Sequence, residues 1–138
     1  MWTEYEGNHV KKVLTGAAVM TATVGALLAG HIAPAQAQAD NYGALALSRN
    51  GASSITANYG SYAAAESAAI AGCQRSGGGA GCDVKVSWRN GCGALAESSR
   101  SYSWASAPSL RAAKRNAINA NRGAATIINW NCTSGYEV

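Results

Sequence analysis

Between residues 42 and 132 the apolar and polar positions run through the same cycle twice. Gly43 to Ser48 is a short, nearly continuous apolar run. The Asn-Gly step in Arg49-Asn50-Gly51 favours a tight hairpin, and a polar return strand fits Ser54 to Tyr59. Gly60 ends that strand. Ser61 is placed to cap an alanine-rich helix, Tyr62 to Gly72, by accepting from an otherwise unpaired first-turn amide. Ser76 to Gly81 is mostly glycine and reads as a loop. Asp83 to Trp88 sets Val84, Val86 and Trp88 on one side and Lys85 and Ser87 on the other, the period of two that marks a strand. The second cycle repeats this order: Ala94 to Ser98, a turn near Ser99 and Arg100, Tyr102 to Ala105, a helix opened by Pro108 and Ser109 and running to about Ala120, then Thr126 to Trp130.

The two cycles, 42–92 and 93–132, echo each other residue by residue. Gly93, Ala94, Leu95 and Ala96 match Gly43, Ala44, Leu45 and Ala46. Ser109, Ala112, Ala113, Ala117 and Ile118 match Ser61, Ala64, Ala65, Ala69 and Ile70, and Trp130 and Cys132 match Trp88 and Cys92. Each copy reads β-β-α-β. The class expected is α+β: one mainly antiparallel sheet with both helices on one face and the halves related by a pseudo-two-fold axis. The expected core is Leu45, Leu47, Ala65, Ala69, Ile70, Val84, Val86, Trp88, Leu95, Leu110, Ala113, Ala117, Ile118, Ile127 or Ile128, and Trp130. On the second helix Arg111, Arg115, Asn119 and Arg122 fall opposite that apolar side.

Residues 1–39 do not follow this plan. Lys11 and Lys12 precede an apolar run from Val13 to Gly30, then Pro34 and the overlapping small-residue signals Ala35-Gln36-Ala37 and Ala37-Gln38-Ala39. That order predicts a secretory signal peptide, cleaved after Ala39 or after Ala37, leaving one exported domain over 40–138. His31 stands where a lipidated cysteine would be needed after Leu28-Ala29-Gly30, so lipid anchoring is not expected. Glu4 and Glu6 place negative charge where a leader carries positive charge, which makes Val10 a candidate initiator; a precursor mass beginning at Met1 would refute that.

Export changes the available chemistry, because His9 and His31 leave with the leader. Residues 40–138 hold nine basic and five acidic side chains, a formal charge of +4, which favours loose contact with anionic surfaces and is also ordinary for an exported protein. All four cysteines, Cys73, Cys82, Cys92 and Cys132, lie there, and an even count behind a leader reads as disulfides rather than as a metal site. Four cysteines allow three pairings. The repeat chooses among them: Cys73 and Cys82 are both missing from the second copy, at Asn121 and about Ala124, and a residue lost together with its partner leaves no orphan thiol. The pairs expected are Cys73–Cys82 and Cys92–Cys132. Their chain-entropy ceilings are about 2.7 and about 3.9 kcal/mol.

The segments YGALALS (Tyr42 to Ser48), AAAESAAIAGC (Ala63 to Cys73) and WRNGCGALA (Trp88 to Ala96) resemble the actinobacterial secreted family termed domain of unknown function 4189. The resemblance covers nearly all of residues 40–138. It implies a small exported protein of mycobacteria or their relatives with this repeated layout, and it implies no catalytic residue, since the family carries no agreed activity. Family members often keep a helix-end cysteine and its strand partner in the second copy, where this chain has Asn121 and about Ala124.

Without imidazole, serine or cysteine catalysis of the histidine-assisted kind has no base. Glu66 and Glu97 are the remaining acid–base candidates; Glu66 matches Lys114 in the second copy, which makes an ion pair across the pseudo-axis conceivable. The glycine segment lacks a Gly-Lys-Ser/Thr phosphate signature. Arg111, Lys114, Arg115 and Arg122 form the one concentrated charge, an anion-facing stripe for lipid, envelope polymer or nucleic acid, or else a solubilising face. Tyr59, Tyr62, Tyr102 and Trp104 are candidates for an aromatic contact surface near the hairpins. The expectation is a non-catalytic binding or effector module of the cell envelope or extracellular space, with a small secreted hydrolase or enzyme inhibitor as the competing class. Its expected partner is a protein or an anionic envelope or host component, with no specific nucleic acid, no metal and no cofactor, and with membrane contact only through the leader during export.

Overall fold

A computed structural model describes residues 39–138; the leader expected over 1–39 and its two cleavage signals lie, but for Ala39, outside the described residues. The first copy contains β1 (Tyr42–Leu47), β2 (Ser53–Tyr59), α1 (Tyr62–Cys73) and β3 (Asp83–Arg89). The second contains β4 (Cys92–Glu97), β5 (Tyr102–Ala107), α2 (Leu110–Asn119) and β6 (Thr126–Cys132). Both helices start as their serines predict: Ser61 accepts from the Ala64 amide at 3.1 Å and Ser109 from the Ala112 amide at 3.3 Å. At the first hairpin Gly51 takes φ 90° and donates to the Ser48 carbonyl at 3.0 Å, so the left-handed residue that this three-residue turn requires is glycine. The glycine-rich segment is not an open loop. It winds into two short helical turns, Gln74–Gly78 and Gly79–Gly81, and its Gly77 carbonyl accepts from the Asn50 side chain at 2.9 Å.

The strands form two antiparallel three-stranded sheets, β2-β1-β3 and β5-β4-β6, where a single sheet with both helices on one face was expected. The reason lies in the alternation inside GALAL and GALA. Ala44 and Ala46 pack with Ala65 and Ala69 of α1, and Ala94 and Ala96 with Ala113 and Ala117 of α2; Leu45, Leu47 and Leu95 point the other way, into a cluster shared by both sheets. Each central strand therefore buries both faces, small residues where a helix must approach closely and large ones where sheet meets sheet. A single sheet with both helices on one side would leave the leucines in water. The result is four layers, helix, sheet, sheet, helix, with β2 lying against β6 and β3 against β5 as a two-fold relation demands. All eight elements, the three apolar clusters and both disulfides fall within one compact unit, residues 39–138.

Trp88, only 4% exposed, lies in the layer between the sheets. Gly43 and Gly93, equivalent residues of the two copies, press on opposite parts of its indole, and a Cβ on either would be driven into the ring. The expected equivalence of Trp88 and Trp130 does not hold. Gly43 pairs with Trp88, whereas Gly93 pairs with Asn131, so the counterpart of Trp88 is Asn131 and Trp130 corresponds to Ser87. Trp130, expected in the core, is 43% exposed. Ile118 and Ile128 are exposed too, Ile118 because it sits on the flank of α2 rather than beneath it. A register shift between Leu45 and Ala46 also breaks the simple alternation of β3: Val86 joins the layer between the sheets, while Val84 pairs with Ala46.

Both bridges join the cysteines named above, Cys73 to Cys82 and Cys92 to Cys132. Cys92 and Cys132 are directly paired residues of β4 and β6, so this bridge staples one sheet and does not tie copy to copy. The copies are joined instead at the two-residue passage from β3 to β4. There the Gly91 amide donates to the buried Thr133 hydroxyl at 2.8 Å and the Thr133 amide donates to the Gly91 carbonyl at 2.8 Å.

Asn121 takes the place of Cys73. Its amide donates to the Ser101 carbonyl (3.0 Å) and the Ser103 hydroxyl (2.9 Å), and its carbonyl accepts from the Ser101 hydroxyl (3.1 Å) and the Gly123 amide (3.0 Å). By strand register the counterpart of Cys82 is Ala125, one residue beyond the position expected. Four hydrogen bonds thus do in the second copy what sulfur does in the first. Asn121→Ala should lower stability by about 1–3 kcal/mol, because it strands several part-buried partners. A urea midpoint that does not move would refute this role.

Candidate functional site

The cationic residues of α2 divide. Arg111 and Arg115 are exposed; Lys114 lies on the same flank with its Nζ 4.6 Å from the centre of the Trp130 ring; Ile118, one turn further on, is 39% exposed. Arg122 falls beyond the helix, where it lines a cleft of about 380 Å³ with Tyr102, Ser103 and Trp104. Three of the four cations therefore share a surface with an aromatic ring from the edge strand β6. Among the described residues the ion pairs are Lys85–Asp83 (3.8 Å) and Arg89–Asp40 (3.6 Å), and none of Arg111, Lys114 and Arg115 takes part in one.

The same place in the first copy is chemically different. Glu66 stands where Lys114 does, Ser87 where Trp130 does, and the Ser87 hydroxyl donates to the Glu66 carboxylate at 2.6 Å. Ala63 and Ser67 stand where Arg111 and Arg115 do. Glu66 and Lys114 do not pair across the pseudo-axis; each meets the β-strand residue of its own copy. One helix–strand contact is thus a hydrogen-bonded carboxylate in one half and a cation on an aromatic face in the other.

The four aromatics expected near the hairpins do not gather. Tyr59 and Tyr62 are exposed, Tyr62 meeting Tyr42 edge to face at 4.7 Å between ring centres, while Tyr102 and Trp104 pack against the layer between the sheets. Lys85 sits 5.6 Å from the centre of the Trp104 ring. Tyr62 and Trp88 line a second cleft of about 340 Å³ with Arg89 and Pro108. Glu66 lies against β3 in one copy and Glu97 beside Tyr102 in the other, so they do not form a pair of carboxylates flanking one reacting bond. The hydrogen bond to the Glu97 carboxylate, seconded by burial, raises the Tyr102 phenol above its ordinary pKa. Among the described residues no three of His, Cys, Asp and Glu gather closely enough to hold a metal ion.

Sequence patterning misplaced Trp130 and Ile118, the two side chains that give the cationic flank its apolar component. The signal available for Trp130 was Asn129-Trp130-Asn131: in a strand with period two, asparagines on one side put the tryptophan on the other.

Similarity to known proteins follows the same boundaries. The chain is 37% identical over 94 residues to protein Rv1269c of Mycobacterium tuberculosis (strain ATCC 25618 / H37Rv), covering 68% of this chain and 71% of that protein. It matches protein Mb1300c of Mycobacterium bovis to the same extent, 37% over 94 residues. Among solved structures it resembles the NMR structure of Rv1813c from Mycobacterium tuberculosis, with a TM-score of 0.53 and 33% identity over 67% of this chain and 74% of that one. The model of the family described as domain of unknown function (DUF4189) matches residues 42–132, from the first strand to the last, and the chain belongs to that family.

Proposed function

We propose that residues 40–138 act as an exported binding module of the cell envelope or extracellular space, and that the flank formed by α2 and β6 is its contact surface for an anionic partner. One observation carries the reading: where the first copy presents Ala63, Glu66, Ser67 and Ser87, the second presents Arg111, Lys114, Arg115 and Trp130 on the same scaffold. A solubilising face needs no aromatic ring, and a tryptophan left 43% exposed beside a cation is a recognised contact element. Export is supported by the leader pattern and by two disulfides, which persist in oxidising compartments.

The test compares two variants of equal charge. Arg111→Glu/Arg115→Glu should elute from a polyanionic resin at clearly lower salt than the wild type. Arg49→Glu/Arg75→Glu, reversed at exposed positions of the first copy, should shift elution much less. Equal shifts would mean that net charge alone governs retention and would remove the assigned surface.

A further inference from the structure

We propose that the partner of the α2–β6 flank is an anionic lipid bilayer, the domain lying on the headgroup region with Trp130 and Ile118 toward the acyl boundary and Arg111, Lys114 and Arg115 on the lipid phosphates. The inference rests on the reading of this flank as the contact surface and names what it contacts. It extends membrane contact beyond the leader.

Three features favour a bilayer over a soluble polyanion. The first is the apolar component. Trp130 and Ile118 are both large and exposed, and their counterparts in the first copy are Ser87 and the partly buried Ile70. A polyanion needs the cations alone. A bilayer interface takes both, since tryptophan and aliphatic side chains settle at the boundary while basic residues meet the phosphates.

The second is the position of Lys114. With its ammonium 4.6 Å from the ring centre, it occupies one face of Trp130. Sugars and nucleobases are held by stacking on an open aromatic face. A ring with a cation already on one face has one fewer face for such stacking, and at an interface the indole and the ammonium serve together, one at the boundary and one at the phosphates.

The third is the platform. α2 and the edge strand β6 are locked together by Ala113 and Ala117 against Ala94 and Ala96 and by the Cys92–Cys132 bridge, so the flank meets a flat surface without ordering a loop. Among the described residues no helix is long and apolar enough to cross a membrane, which fits contact from one side.

Each basic residue brought to an anionic leaflet raises partitioning by about fivefold, so the three cations should favour anionic over zwitterionic vesicles on the order of a hundredfold at low salt. The test uses oxidised residues 40–138, sedimented with vesicles of phosphatidylcholine alone or of phosphatidylcholine with phosphatidylglycerol. Wild type should bind the second kind and be released by salt, and its fluorescence should move to the blue, a shift assigned to Trp130 by its loss in Trp130→Ser, since Trp88 is buried between the sheets and Trp104 is half-buried against that layer.

Lys114→Glu/Trp130→Ser rebuilds the Glu66–Ser87 pair that already folds in the first copy. It should lose the blue shift and on the order of a hundredfold in vesicle partitioning while melting as a cooperative unit. Arg111→Ala/Arg115→Ser, restoring the first copy's Ala63 and Ser67, should lose about twenty-five-fold through two solvent-exposed positions that leave the core untouched. Trp130→Ser alone should weaken vesicle binding and leave retention on the polyanionic resin unchanged. Three results would overturn the proposal: equal binding to both kinds of vesicle, undiminished vesicle binding by the sibling-restoring variants, or resin retention that depends on Arg111 and Arg115 with no vesicle binding at all. The last outcome would keep the flank as a contact surface and assign it to a soluble polyanion.

Discussion

Trp88→Ala is expected to destabilise the domain by about 3–5 kcal/mol, a large share of the roughly 5–15 kcal/mol that holds a chain of this size folded. Trp88 is 4% exposed and fills the layer where Leu45 and Leu47 of one sheet face Leu95 of the other. The Gly43 and Gly93 backbones that flank its ring have no side chains with which to close the cavity left behind. Residual cavity volume is what makes a large-to-small change expensive, so the cost should fall near the top of that range. Gly43→Ala and Gly93→Ala attack the same packing from outside and should cost about 1–3 kcal/mol each through overpacking. Either of them combined with Trp88→Ala should be less damaging than the sum, because the added methyl then meets a void. Trp88→Phe should be far milder than Trp88→Ala: the indole N–H has no hydrogen-bond partner among the described residues, so removing it breaks no bond. Urea unfolding with an unchanged slope is the measurement. A loss below 1 kcal/mol for Trp88→Ala would mean that the two sheets hold together without their central side chain.

That central side chain was legible in the sequence; its setting was not. Strand and helix limits follow from local signals that act within a few residues: Asn50-Gly51 closes a turn, and Ser61 and Ser109 cap helices wherever the rest of the chain goes. The division into two sheets depends on which residues lie on the far face of β1 and β4. In GALAL the alternation of small and large apolar residues reads as one hydrophobic run until a helix is placed on the alanines and a second sheet on the leucines. Ala44, Ala46, Ala94 and Ala96 were missed as core for that reason. The candidate surface was half legible. Charge marked Arg111, Lys114 and Arg115, but Trp130 was assigned by matching tryptophan to tryptophan, and strand register, which aligns Trp88 with Asn131, overrides that match. A one-residue slip sends a side chain to the opposite face of a sheet, and here it carried Trp130, the one exposed tryptophan among the described residues, into the expected core.

The same register explains why breaking Cys92–Cys132 should be the second large effect, and why it should exceed the loss of Cys73–Cys82. In the first sheet β3 is anchored between the sheets by Val86 and Trp88; the equivalent positions of β6 are Asn129 and Asn131, which reach across only to the Ser53 hydroxyl and the Ile55 carbonyl, both at 3.4 Å. Apolar anchoring between the sheets, which β6 lacks, is replaced at its end by a buried disulfide to β4, in the slot that Tyr42 and Arg89 fill in the first copy without a covalent bond. The chain-entropy model assigns this bridge about 3.9 kcal/mol and the Cys73–Cys82 bridge about 2.7 kcal/mol. Both bridges are buried in the alanine cluster of their own copy, so a packing loss adds to both figures and the difference between them rests on loop length and on the anchoring of β6. Cys92→Ala/Cys132→Ala should therefore lower stability by about 3–4 kcal/mol or more, and Cys73→Ala/Cys82→Ala by about 2–3 kcal/mol. Hydrogen exchange should locate the damage, with amides from Ile127 to Asn131 losing protection before those of β1 and β3, since an edge strand released from its staple opens ahead of the whole domain. With β6 frayed, Trp130 no longer stands under Lys114, and vesicle binding should fall with strand protection rather than with global unfolding. Uniform loss of protection across both sheets, or a larger cost at Cys73–Cys82, would show that β6 is held by its asparagines after all.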